Sequence, residues 1–119
     1  MHTTIADAAK DRVIFNITGT TREEIENKLN LFFTSQGYTP KPVAGELHTY
    51  TKGSRIMRML FGAFVKYHKQ SVTLRNQGDL FSLMLAKEST GISGGLIGMN
   101  QATKEFARLS DAFKEYFSN

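Results

Sequence analysis

Two histidines and one glutamate are the residues of this sequence whose types best suit metal binding. His48 and His68 occur in two segments that alternate like strands, and Glu46 lies two residues from His48 on the same face. Zinc accepts two imidazoles and a carboxylate as ligands, but this spacing matches no known metal signature. We therefore expect no metal here and interpret the histidines as surface residues of a sheet.

Residue patterns for enzymatic catalysis are absent from the sequence. There is no cysteine, and no serine lies in the G-x-S-x-G context of a nucleophile elbow. Acidic residues cluster at Glu23, Glu24 and Glu26, where the start of a predicted helix favours them electrostatically. The sequence therefore favours a non-enzymatic protein that needs no cofactor.

A glycine-rich stretch, GISGGLIG, separates a predicted strand from the last predicted helix. Backbone amides at the start of a helix bind phosphate or carboxylate readily, but the spacing is neither a dinucleotide-binding motif nor a P-loop. We interpret the stretch as small residues that let the chain cross closely over the sheet, with anion binding as the alternative. The glycines of this loop are Gly91, Gly94, Gly95 and Gly98.

The positive charge of the chain, formally +4, is concentrated in one window, 52–75. No acidic residue occurs between Glu46 and Asp79, and aromatic residues are interleaved with the cations there. Such a surface is typical of proteins that hold nucleic acid or lie on an anionic membrane. The sequence therefore predicts an anionic partner as an alternative function. The cations of this basic window are Lys52, Arg55, Arg58, Lys66, Lys69 and Arg75.

The first third of the chain predicts a tail, a strand and a helix. Residues 1–10 are polar and are expected to form a flexible tail without the apolar region of a secretory leader. The β-branched stretch 12–19 predicts a strand. Residues 21–36 predict a helix, because apolar side chains recur there at helical spacing.

Both ends of this helix carry recognisable signals. Thr21 and Glu24 have the spacing of a capping box, in which the hydroxyl accepts from the third helical amide and the carboxylate reaches back. Gly37 stands where a left-handed residue ends many helices. These signals predict both boundaries of the helix.

The next segments predict a loop and a strand. Residues 38–45 contain both prolines and are expected to be a loop. Residues 46–53 alternate in polarity and predict a half-exposed strand. His48, Tyr50 and Lys52 share one face of it, which we expect to be the open sheet face opposite the helices.

The remaining strands are predicted from a hairpin and an ambiguous apolar segment. Residues 69–89 predict a hairpin that turns at 76–79, with a second arm apolar on both faces as in a strand buried inside a sheet. Residues 56–67 fit both a helix and a strand, and we favour a strand through 60–68 after an irregular start. A strand would place Phe61 and Phe64 on opposite faces, which favours self-association, such as a homodimer.

Together these elements predict one α+β domain over 1–119. Its order, β-α-β-β-β(-β)-α, predicts a two-layer sandwich: an antiparallel sheet of four to five strands with a short and a long C-terminal helix on one face. The order of elements, without any residue motif, resembles that of helix-grip and TATA-binding-protein-like folds. With no apolar run long enough to span a bilayer, we expect a cytoplasmic protein.

Aromatic residues on the two predicted helices suggest where a ligand binds. They recur on the apolar faces of both helices, so a cleft between the sheet and the last helix is the predicted site. We expect a binding or interaction module that holds a hydrophobic small molecule or a protein partner. The predicted cleft residues are Phe32, Phe33, Met99, Phe106 and Phe113.

Overall fold

The computed structural model describes residues 1–52, 68–87 and 95–118, and the side chains of the last range from residue 103 onward. The predictions for 56–67, for Gly91 and Gly94, and for the side chain of Met99 lie outside what is described. Within these ranges the elements are β1 (His2–Ala8), β2 (Arg12–Thr18), α1 (Arg22–Ser35), β3 (Thr39–Pro40), β4 (Leu47–Lys52), β5 (His68–Gln77), β6 (Leu80–Lys87) and α2 (Gly95–Phe117).

The six strands form one antiparallel sheet in the order β1-β2-β6-β5-β4-β3. The predicted α+β class is confirmed, and the sheet has more strands than expected. The flexible tail predicted over 1–10 is wrong, because β1 pairs with β2 from His2 opposite Thr18 to Ala8 opposite Val13. A bulge between Ile5 and Asp7 interrupts the pairing, as is common at sheet edges. A polar segment forms a strand here because β2 supplies the partners for its backbone groups.

One face of the sheet is covered by both helices. On β2, Val13, Phe15 and Ile17 alternate onto this face, and none of the three is more than 1% exposed. Residues of α1 and α2 join them in a single apolar core. Between these buried positions the strand residues are half-exposed, so the opposite face of the sheet is the more open one. No described helix is long and apolar enough to cross a membrane.

The ends of α1 follow the predicted signals closely. The hydroxyl of Thr21 accepts a hydrogen bond from the Glu24 amide at 3.2 Å, but the Glu24 carboxylate accepts from the Thr20 hydroxyl at 2.6 Å instead of reaching back to Thr21. Gly37 has a φ of +86°, and the Tyr38 amide donates to the Phe33 carbonyl at 2.8 Å. This is a Schellman ending, and it turns the Tyr38 side chain back towards the sheet.

The hairpin of β5 and β6 is confirmed, with a two-residue connection at Gly78 and Asp79. Gly78 has a φ of +66°, which glycine adopts without strain. The interior position of β6 is also confirmed, but only one of its faces is fully buried. Leu83 and Leu85 are 0% exposed, whereas Met84 between them is partly exposed.

Candidate ligand-binding site

Hydrogen-bonded polar side chains link the sheet to α2, in a layer where most buried residues are apolar. They come from three parts of the sequence: Gln70 from β5, Tyr38 from the turn that follows α1, and Glu105 from α2. The Tyr38 hydroxyl donates to the Glu105 carboxylate at 2.7 Å, and the Gln70 amide nitrogen donates to the Tyr38 oxygen at 3.3 Å. We call these three residues the polar chain.

The carboxylate of Glu105 is the charged end of the polar chain. Arg108, one turn further along α2, donates to both of its oxygens at 2.8 and 3.0 Å, and the Lys52 ammonium lies 3.6 Å away. Burial raises the pKa of Glu105, but the hydrogen bonds from Arg108 and Tyr38 and the charge of Lys52 outweigh it and hold the pKa at about 2. Glu105 is therefore an ionised acceptor at neutral pH.

Arg108 and Lys52 also attach this end of the polar chain to its neighbours. Arg108 donates to the side-chain oxygen of Gln36 at 2.7 Å, which joins α2 to the end of α1. The Lys52 ammonium lies 5.6 Å from the centre of the Tyr38 ring, close enough for a cation–π contact. Burial, then the hydrogen bond to Glu105, raises the pKa of Tyr38, so its hydroxyl keeps its proton.

The amide of Gln70 is the buried end of the polar chain. Gln70 is only 4% exposed and lies on the face of β5 that also buries Val72 and Leu74. Its nitrogen is used by Tyr38, whereas its oxygen Oε1 is buried and has no hydrogen-bond partner among the described residues. A buried acceptor without a partner costs free energy and calls for a specific explanation.

Gln70 has a polar neighbour on β6, Lys87, and apolar neighbours two residues further along the two strands. Lys87 lies opposite Gln70 on β6, and its ammonium donates to the Thr103 hydroxyl on α2 at 2.8 Å. Two residues further into the sheet, Val72 pairs with Leu85, and both are 0% exposed. The site therefore combines an apolar floor with a few polar groups, as small-molecule sites do.

The aromatic residues of the predicted cleft belong to the core. Phe32, Phe33, Phe106 and Phe113 are each 2% exposed or less. The rings of Phe32 and Phe113 meet at 5.4 Å, and Phe33 stacks on Tyr50 at 4.0 Å. They hold the helices on the sheet, and the polar chain runs through Gln70, Tyr38 and Glu105 rather than between these rings.

The face predicted for β4 is wrong. His48 and Tyr50 are 2% and 1% exposed and point towards the helices, not away from them. The Tyr50 hydroxyl donates to Asn30 at 2.9 Å, and the His48 ring lies 3.0 Å from Glu26. These polar partners on α1 are what allow polar-tipped side chains to be buried beneath it.

The histidines do not form the zinc site considered above. His68 is also buried rather than on the surface, and it lies opposite Lys52, four residues along β4 from His48. Glu46 pairs with Arg75 instead, at 3.1 Å. In the part of the chain that the structure describes, no three histidine or acidic side chains are grouped closely enough to hold a metal.

The described cations of the basic window divide between the two faces of the sheet. Lys52 lies on the helix-covered face with Glu105, whereas Lys69 and Arg75 occupy alternate positions of β5 that point to the open face. The remaining three, Arg55, Arg58 and Lys66, lie outside the described residues. The anionic partner stays a prediction.

Gly95 and Gly98 lie in the first turns of α2, so the glycine loop continues into that helix. Anion binding by this loop likewise stays a prediction.

Comparison with known proteins adds no assignment. No protein-family model matches this chain, and no curated protein is significantly similar to it in sequence. The function is therefore argued from the geometry of the site.

Sequence reasoning missed the polar chain, although one signal for it was present. In β5, Gln70 alternates with Val72 and Leu74, so a strand that buries these two also buries Gln70. Tyr38 and Glu105 are 67 residues apart in sequence, and no local pattern relates them.

Proposed function

We propose that this chain is a non-enzymatic binding module that takes a small, mostly apolar molecule between the sheet and the N-terminal half of α2. The observation that carries the proposal is the polar chain, in which the buried side chains of Gln70 and Tyr38 lead to the partly buried Glu105.

Stability alone is a weak reason for such a chain. Removing charged and polar groups from water costs free energy, and well-packed apolar residues of similar volume often stabilise a fold equally or better. Most buried residues of the layer between sheet and helices are apolar, such as Phe15, Leu83 and Leu109, and the buried polar tips of His48 and Tyr50 find partners on α1. The polar chain differs from these because Gln70 Oε1 has no partner among the described residues, so recognition of a ligand explains it better.

The arrangement of the elements supports the same conclusion. Among the described elements from β2 onward, the order is a strand, a helix, four strands and a long helix, and we propose that this part is a helix-grip-like unit. In such a unit a ligand is held between an antiparallel sheet and the long C-terminal helix. The charged residues Lys52 and Glu105 lie on the side of the site nearer solvent, and Val72 and Leu85 form its inner floor.

Binding of simple amphiphilic probes tests this proposal. Isotope-labelled protein is titrated with straight-chain primary alcohols from hexanol to dodecanol, and binding is followed by amide chemical shifts. We expect saturable changes centred on Tyr38, Gln70 and Thr103. The variant Gln70→Phe, which replaces the amide by a bulky apolar ring, should abolish them, whereas Thr73→Phe on the open face of the same strand should not.

Two results would contradict the proposal. One is the absence of saturable shifts with every alcohol in the series. The other is a set of shifts confined to exposed apolar side chains such as Leu31 and Val43, which are 66% and 52% exposed and would report only non-specific adsorption.

A further inference from the structure

We propose that Gln70 Oε1 is the specificity-determining acceptor of this site, and that the ligand carries a neutral hydrogen-bond donor, a hydroxyl or an amide N–H, on an apolar body. This inference rests on the proposed function and names the chemical class of its ligand. It follows from the directions of the hydrogen bonds, the burial of Gln70 and the local charge.

The direction of each hydrogen bond in the polar chain is determined by its charged end. Glu105 is ionised and can only accept, so the single proton of the Tyr38 hydroxyl is donated to it. The Tyr38 oxygen then accepts from Gln70, which must present its amide nitrogen there. A flipped amide would place two acceptors against each other. Oε1 therefore points away from Tyr38.

Gln70 Oε1 is buried and has no hydrogen-bond donor among the described residues. Only 4% of the Gln70 surface is exposed to solvent. Neither Tyr38 nor any other described residue donates to Oε1. A ligand that donates a hydrogen bond satisfies it, and a ligand of equal shape without a donor leaves it buried and unpaired.

The charges nearby select a neutral donor. Among the described residues, Lys52, Arg108 and Lys87 contribute three positive charges around the site, against the one negative charge of Glu105. An ammonium ligand would enter a region that is already net positive. A carboxylate or phosphate would present acceptors to Oε1, which is itself an acceptor. Alcohols, phenols and amides meet both conditions.

The test compares each probe alcohol with its methyl ether, which keeps the oxygen and the apolar chain but lacks the donor. We expect wild-type protein to bind the alcohols about tenfold or more tightly than the matched ethers, as a buried acceptor left unpaired implies. In Gln70→Met, which keeps the length of the side chain but replaces the strong carbonyl acceptor by a weakly accepting thioether, the ratio should fall to about one. Gln77→Met, at an exposed position of the same strand, should keep the wild-type ratio.

A second measurement needs no variant and guards against a Gln70→Met protein that does not fold. The side-chain carbonyl carbon of Gln70 should shift on addition of an alcohol and not on addition of its ether, because only the alcohol donates to Oε1. The same atom of Gln77 serves as the internal control.

The outcomes separate this inference from the function it rests on. Alcohols and ethers that bind equally to the wild type would overturn the inference and leave the binding module intact, with a water or another group meeting Oε1. Discrimination that survives in Gln70→Met would also overturn it, because the acceptor would lie elsewhere. If neither series binds, the proposed function fails first.

Discussion

The pH dependence of stability should report the charged end of the polar chain directly. Because the folded protein holds the pKa of Glu105 at about 2, below its ordinary 4.5, the ionised carboxylate stabilises the fold. This contribution is fully present above about pH 4.5 and is lost as the pH falls from there through about 2. The variant Glu105→Gln keeps the shape of the side chain and removes the charge, so it should lack this part of the pH dependence.

The size of the effect follows from the same depression of the pKa. A shift of one pKa unit corresponds to about 1.36 kcal/mol, which gives an upper bound of roughly 3.4 kcal/mol for a carboxyl whose pKa is lowered from 4.5 to about 2. The side chains of Arg108 and Lys52 are 47% and 39% exposed, so solvent screens a large share of their attraction. We therefore expect Glu105→Gln to lower the free energy of unfolding at neutral pH by about 1–2 kcal/mol.

Urea denaturation at a series of pH values between 2 and 7 measures this contribution. The difference in unfolding free energy between wild type and Glu105→Gln should be largest at neutral pH and shrink as the solution is acidified. Glu26, whose pKa is lowered chiefly by its hydrogen bond to His48, titrates in an overlapping range, so both proteins are also compared in a Glu26→Gln background. A difference that stays constant with pH would refute the assignment of the stabilising charge to Glu105.

Three further substitutions test the core and the turns by thermal and urea unfolding. Phe113→Ala should lower the free energy of unfolding by about 3–5 kcal/mol because a fully buried ring is removed. Leu31→Ala, at a position 66% exposed, should lower it by less than about 0.5 kcal/mol, and similar losses for both would contradict the assigned core. Tyr50→Phe should cost about 1 kcal/mol, since it deletes the hydrogen bond to Asn30 and keeps the stacked ring; no loss would mean that water replaces the bond. Gly78→Ala should cost about 1 kcal/mol because its φ is +66° although space is open around it, and an unchanged stability would argue against that turn.

The parts of the fold that were predictable from sequence are those whose signals are local. The helix α1 carries its own start at Thr21 and its own end at Gly37, and the hairpin of β5 and β6 carries its own turn at Gly78. The strand β1 was missed because its polar sequence resembles a tail, and only pairing with β2 makes it a strand. Local patterns describe what a segment can form, whereas an edge strand depends on the neighbour that it meets.

The sequence also failed to show which face of the sheet His48 and Tyr50 of β4 point to, for a related reason. Alternation shows that His48 and Tyr50 share a face, but it does not show which face the helices cover. Polarity suggested the open face, and the structure reverses this because Glu26 and Asn30 on α1 meet the two side chains. The same alternation in β5 was more informative, since Val72 and Leu74 are apolar and indicate the buried face without reference to any partner.

Gln70 is therefore the position where two local rules disagree. Its place in the alternation of β5 assigns it to the core, and its chemistry assigns it to solvent. Such conflicts are expected where a residue serves a function instead of the fold. The structure explains how the amide nitrogen of Gln70 can be buried, because it donates a hydrogen bond to the Tyr38 oxygen. The amide oxygen has no donor among the described residues, and a ligand with a donor group would supply one. The comparison of alcohols with ethers therefore tests a functional role of Gln70 and not its contribution to stability.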